Sequence, residues 1–149
     1  MITDPVFGPL QYEDFWSGHV SLKHLGDEIP IEIEADESGP TDSQRVALSD
    51  LSKNQETLKA KLEKAIFEFY SSMHSVFRKG YDPDYVDVDV PFLKESNQIW
   101  SLMSDLQVFI PEEDEGGILL LWECTWEMEH GLGVRILNGE VDEIGDQSI

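Results

Sequence analysis

"GILLLWECTWEMEHGLGVRILNGEVDEI", residues 117–144, decides the fold of this chain. In an extended backbone its first part sends Ile118, Leu120, Trp122, Cys124 and Trp126 to one side and Leu119, Leu121, Glu123 and Thr125 to the other, the period of a half-buried β-strand. After the turn at Glu127–Gly131, "GVRIL" reads as the next strand. Asn138-Gly139 then leads into "EVDEI" as a two-residue hairpin turn of the kind that needs positive φ at both positions. Three successive antiparallel strands are therefore predicted at the C-terminal end. The same stretch holds the single cysteine together with Glu127, Glu129 and His130, so it also poses the question of an active site.

Upstream, "LQVFI" reads as a strand with Leu106, Val108 and Ile110 on one face, and "SNQIWSLM" as a short helix capped by Ser96. "DYVDVDVP" alternates Val86, Val88 and Val90 with Asp87 and Asp89, which predicts a further strand. Before it lies the helical middle of the chain. Thr41 and Gln44 have the spacing of a capping box, and Val46, Ala47, Leu48 and Leu51 begin an apolar face. A second helical piece, continuous with that one or separate from it, places Leu58, Leu62, Ala65, Ile66, Phe69, Met73, Val76 and Phe77 on one apolar face about six turns long. Arg78, Lys79 and Gly80 end it, with cations against the carbonyl dipole and a glycine free to take positive φ.

The N-terminal part is again strand-like. Leu10–Tyr12 alternates, as does the run from Trp16 to Leu22; Ile29, Ile31, Ile33 and Ala35 repeat the pattern, with Pro30 predicting an edge strand or an amide turned away from its partner. The expected architecture is a single α+β domain over residues 1–149, with a mainly antiparallel sheet of about six or seven strands and one long amphipathic helix packed on one face.

Composition sets the outer bounds. A chain of 149 residues with 40% hydrophobic content can bury roughly 70% of its unfolded surface in one core. Its longest apolar run, "ILLLW", falls far short of the ~20 residues that span a bilayer. The N-terminus has no cation before an apolar stretch, and one cysteine cannot close an internal disulfide, so a cytoplasmic protein is expected. Charge is the strongest signal: 31 acidic against 10 basic residues, with 17 acidic and only 2 basic in residues 80–149. Binding to nucleic-acid phosphates is disfavoured, and a basic protein is the partner such a field attracts.

The reactive-looking residues have ordinary explanations beside the chemical ones. Cys124, between two tryptophans and among carboxylates, reads as a protonated core cysteine and not a thiolate nucleophile. One cysteine and one histidine without a second pair do not make a zinc site, and Asp82, Asp84, Asp87 and Asp89 lack the loop spacing of a calcium-binding EF-hand. Gly131 and Gly133 precede a strand, so they do not form a phosphate-cradling loop, and no cofactor is expected. Glu127, Glu129 and His130 remain as tentative binding residues in the turn. Glu112, Glu113, Asp114 and Glu115 form a second tentative site, an acidic loop able to meet a basic partner.

The tail "WEMEHGLGVRILNGEVDEIGDQSI" is similar to the ending of a family of small uncharacterised bacterial proteins. In that family a tryptophan and an acidic residue precede a Glu-His-Gly turn and a Gly-x-Gly-Val hairpin. The segment "GPTDSQRVALSDLSKNQETL" resembles the opening of the family's helical part. The resemblance marks Trp126, Glu129, His130, Gly131 and Gly133 as motif positions, with Glu127 where an aspartate is expected. It carries no activity, though some relatives resemble immunity proteins encoded beside toxins. A glycine that permits the sharp turn and a glutamate that bonds hairpin amides give such a motif a structural cause.

Three functional readings follow. The first is a non-enzymatic interaction module, such as an immunity-type inhibitor, that docks a basic partner through its acidic half. The second is a metal-dependent or carboxylate-based hydrolase that uses Glu127, Glu129 and His130. The third is an accessory or oligomeric module whose acidic surface only solubilises it; the sequence leaves the oligomeric state open.

Overall fold

The computed structural model describes residues 1–113 and 116–149. Four strands come first: β1 (Ile2–Asp4), β2 (Gly8–Tyr12), β3 (Trp16–Leu22) and β4 (Gly26–Ile33). Then follow helices α1 (Asp42–Lys53), α2 (Gln55–Arg78) and α3 (Val86–Asp89) and a 3-10 helix (Ser96–Leu102). Strands β5 (Met103–Ile110), β6 (Ile118–Cys124), β7 (Leu132–Leu137) and β8 (Glu140–Gly145) complete the chain. All eight form one sheet in chain order. Every neighbouring pair is antiparallel except β4 and β5, which run parallel through Ile31–Val108, Glu32–Phe109 and Ile33–Ile110. A parallel pair cannot be closed by a hairpin and requires a crossover. That is why all the helices lie between β4 and β5.

The helices cover one face of the sheet. Trp16, Ile29, Ile31, Ile33, Val108, Ile110, Ile118, Leu120, Trp122 and Val134 point into the core and are buried, as are Ala47, Leu48 and Leu51 of α1 and Leu58, Leu62, Ile66 and Tyr70 of α2. The opposite face carries Ser17, His19, Glu32, Gln107 and Glu123, all exposed, with Phe109, Leu119 and Leu121 half-buried among them. An antiparallel sheet tolerates this one-sided wetting because its polar residues alternate with its core residues. No helix among the described residues is long and apolar enough to cross a membrane.

Several expectations need correction. The sheet has eight strands, since the short β1 pairs with β2 and adds an edge. The two helical pieces are separate: α1 ends at Lys53 with Asn54 as its cap, and the long amphipathic helix is α2, which starts at Gln55. Residues 86–90 are not a strand but the short helix α3 and its C-terminal cap. Val86 and Val90, four apart, are inward in either conformation; only Val88 distinguishes the two, and it is 71% exposed. Asp82 starts the helical turn, its carboxylate accepting from the Asp84 amide at 2.9 Å and its carbonyl from Val86 at 2.9 Å. Of the two alternatives for Pro30 the edge strand is excluded, since β4 lies between β3 and β5; the ladder to β5 begins one residue after Pro30. The 3-10 helix is capped by Glu95, whose partner is Gln98, while the Ser96 hydroxyl donates to Glu63.

The buried line of α2 also departs from expectation. It runs Leu58, Leu62, Ile66, Tyr70, His74, whereas Val76 is exposed. Tyr70 and His74 can be buried because their polar ends are met: the Tyr70 hydroxyl donates to the Pro91 carbonyl at 2.6 Å, and His74 Nε2 lies 3.0 Å from the Val90 carbonyl oxygen. The capping box at Thr41 is present, and Gln44 does more than cap. Its amide nitrogen donates to the carbonyls of Glu34, Ile110 and Pro111, clasping the ends of the two parallel strands. Asn138 and Gly139 have φ of 52° and 76°, as their hairpin turn requires.

At the N-terminus, Asp4 is buried and accepts hydrogen bonds from the amides of Val6 and Phe7 and from Arg45 Nε at 2.8 Å. Burial alone raises its carboxyl, but the two amides and the guanidinium outweigh that and hold it below the ordinary value. A depressed native value means stability that is present above the unfolded-state value and is lost as pH falls through the native one. Asp4→Asn is therefore expected to cost about 1–3 kcal/mol at neutral pH. In urea unfolding at about pH 7 and about pH 3, the gap between wild type and variant should narrow at the lower pH. An equal gap at both would show that the charge of Asp4 contributes nothing.

Candidate binding surface

The turn after β6 is built to be rigid. The Glu127 carboxylate accepts from the amides of Glu129 and His130, both at 3.2 Å, and the Glu127 carbonyl accepts from Gly131 at 2.9 Å. His130 Nδ1 lies 3.4 Å from the same carboxylate. The C-terminal tail then crosses over the turn: the Gln147 amide donates to the His130 carbonyl, and the Gln147 side chain to that of Trp122. Gly131, at φ 65°, takes the left-handed conformation that closes the loop. Glu129 and Met128 project outward.

Cys124 is buried beneath this turn between Trp122 and Trp126. Its thiol lies 3.6 Å from the Glu127 carbonyl oxygen, and burial pushes its pKa up to about 12. A thiol of that kind stays protonated at neutral pH and is a poor nucleophile. Among the described residues, no group of three or more His, Cys, Asp or Glu side chains is placed to hold a metal ion.

The two tentative acidic sites are far apart. Glu112 and Glu113, both exposed, stand before the first residue of β6, while Glu127, Glu129 and His130 stand after its last. At about 3.3 Å per residue, the strand holds them roughly 20 Å apart. Asp114 and Glu115 lie outside the described residues. A cavity of about 640 Å³ between α1, α2 and the strands β6 and β7 has Ala47, Leu51, Leu58, Ile118 and Ile136 among its lining. Its polar lining is Ser43, Asp50, Asn54 and Asn138.

The other end of the molecule is richer in contacts that the sequence did not announce. The last turns of α2, helix α3 and the turn after β6 meet there through Tyr81, whose hydroxyl lies 2.9 Å from both Asp89 Oδ2 and the Thr125 carbonyl oxygen. Burial and Asp89 push the Tyr81 phenol up to about 12. Arg78 pairs with Asp87 at 2.7 Å and stands over the ring of Phe92, which also packs on His74. Of the eight large apolar side chains exposed among the described residues, five lie in or next to these segments: Val76, Tyr85, Val88, Phe92 and Met128. Around them stand Asp82, Asp84, Asp87 and Glu129, also exposed. On the other flank of α2, Phe69, Phe77 and Trp126 line a small cavity together with Glu127 and Asp146.

These features define an α+β fold with an acidic, partly aromatic end. The chain belongs to the family described as Domain of unknown function (DUF6985), whose sequence profile matches residues 6–149. No curated protein and no solved structure matches it.

Proposed function

We propose that this protein is a non-enzymatic interaction module that docks a basic protein partner, in the manner of an immunity-type inhibitor. The observation that carries the reading is the concentration of exposed Tyr85, Val88 and Phe92 within a segment that also holds Asp82, Asp84, Asp87 and Asp89. Aromatic and aliphatic side chains are costly to leave in water and supply the area of an interface core. Carboxylates around them steer a cationic surface into register and repel acidic competitors. The 17 acidic residues of the second half extend that field over the whole C-terminal part of the chain. A reducing, cytoplasmic setting accords with a single buried thiol.

The test is capture from a lysate of the native host, followed by equilibrium binding of the purified partner. We expect one basic protein, bound with an affinity that falls at least about tenfold between roughly 0.05 and 0.5 M salt. Phe92→Ser should weaken it by about tenfold or more, the loss of one moderate anchor residue. A partner that binds equally well at both salts and to the Phe92 variant would sink the reading.

A further inference from the structure

The cavity between α2 and the turn after β6 has a composition that none of the foregoing accounts for. Its walls are the rings of Phe69, Phe77 and Trp126, the carboxylate residues Glu127 and Asp146, and the backbones of Gly131 and Gly145. The ring centroids of Phe69 and Phe77 are 5.9 Å apart, and those of Phe77 and Trp126 6.1 Å. No lysine or arginine lines it. Glu127 Oε1 already accepts two amides, and Asp146 Oδ1 accepts from the amide and hydroxyl of Ser148. Both carboxylates are thereby held in place while each keeps a second oxygen for which no such bond is described.

Aromatic rings attract cations through their negative faces, and carboxylates do so through charge. A neutral apolar group would gain the rings but would leave two carboxylates to be desolvated without compensation. An anion would meet repulsion from both. At about 190 Å³ the cavity is smaller than the roughly 300–1,000 Å³ of sites that enclose whole small molecules. It suits a head group whose remaining body stays outside. We propose that this cavity is a binding site for an organic cation, the guanidinium or ammonium head of an arginine or lysine side chain presented by a protein partner. The inference deepens the docking reading by naming an anchor on the partner, and it rests on that reading only for the source of the cation. The head lies against the rings of Phe69, Phe77 and Trp126, where they line the cavity, and is held by Glu127 and Asp146.

The test uses the full chain and small probes, so that it does not depend on any partner being found. Methylguanidinium, choline and a blocked Gly-Arg-Gly peptide are titrated separately while the indole N–H of each of the four tryptophans is followed by NMR. The expected result is a saturable shift of the Trp126 signal with methylguanidinium and with the peptide, with dissociation constants on the order of a millimolar. The double variant Glu127→Gln, Asp146→Asn keeps the amide-accepting oxygens and should weaken both by about tenfold or more. Phe77→Leu keeps the apolar volume and should weaken them several-fold. Unshifted Trp126, or shifts unchanged in the double variant, would overturn the site. Choline binding without peptide binding would overturn the assignment to a protein side chain. Peptide binding retained in a Phe92→Ser chain that no longer docks a partner would support the site by itself, so the two proposals fail separately.

Discussion

Tyr70→Ala is expected to lose about 3–5 kcal/mol of folding stability, the usual cost of deleting a large buried aromatic side chain. The ring is 1% exposed and packs against Trp126 with centroids 5.0 Å apart, and against His74 at 5.4 Å. Its hydroxyl is the only part that reaches toward a polar group, the Pro91 carbonyl. Tyr70→Phe keeps the ring and removes that bond, and should lose only about 1–2 kcal/mol. The difference between the two separates packing from hydrogen bonding. Because Pro91 sits between Val88 and Phe92, the phenylalanine variant should also loosen that segment, raising amide exchange at Val86–Val90 and Phe92 without exposing the sheet. Equal stabilities for Tyr70→Ala and wild type in urea unfolding would show that this contact is not part of the core.

Gly131→Ala is expected to be comparably damaging, at roughly 2–4 kcal/mol. Two causes add. An alanine in the left-handed region is strained by about 1–2 kcal/mol, and its methyl would stand 2.7 Å from the Trp122 carbonyl oxygen and 2.5 Å from the Gln147 side-chain nitrogen Nε2 that bonds it. Neither the β6 backbone nor the tail can move away without breaking the bond between them. Gly133→Ala meets the Asp146 carbonyl oxygen at 2.5 Å and should release the tail in the same way. Gly139→Ala is the control. It shares the positive φ of 76° but has no atom within 4 Å of the added methyl, so only strain should appear. If all three variants lose the same amount, the crossing of the tail over the turn is not what these glycines serve.

Much of the C-terminal architecture was legible because strand alternation and the Asn138-Gly139 turn are local signals. What was lost depended on partners distant in sequence. Tyr70 and His74 continue the four-residue steps of Leu58, Leu62 and Ile66, but a polar side chain joins a buried line only where acceptors meet it, and Pro91 and Val90 supply those from a distant segment. Val86 and Val90 satisfy a strand and a helical turn equally well. Gln44 could be read as a cap, but not as the clasp on Ile110 and Pro111, since nothing local announces that β4 and β5 are neighbours. The Glu-His turn was visible in outline. The cavity beneath it was not, because Phe69, Phe77 and Asp146 reach it from a helix and a tail that only the folded chain brings together.

The parallel seam between β4 and β5 has a kinetic meaning. On either side of it the sheet is a meander whose strands are joined by short turns, contacts that form quickly because little chain must be ordered to close them. The seam itself joins residues 31–33 to 108–110, and its formation waits on the whole helical crossover between them. Two halves ready early and one junction closed late is the order this topology imposes. The Gln44 side chain, bonded to both strand ends at once, becomes fully satisfied only when that last junction has formed.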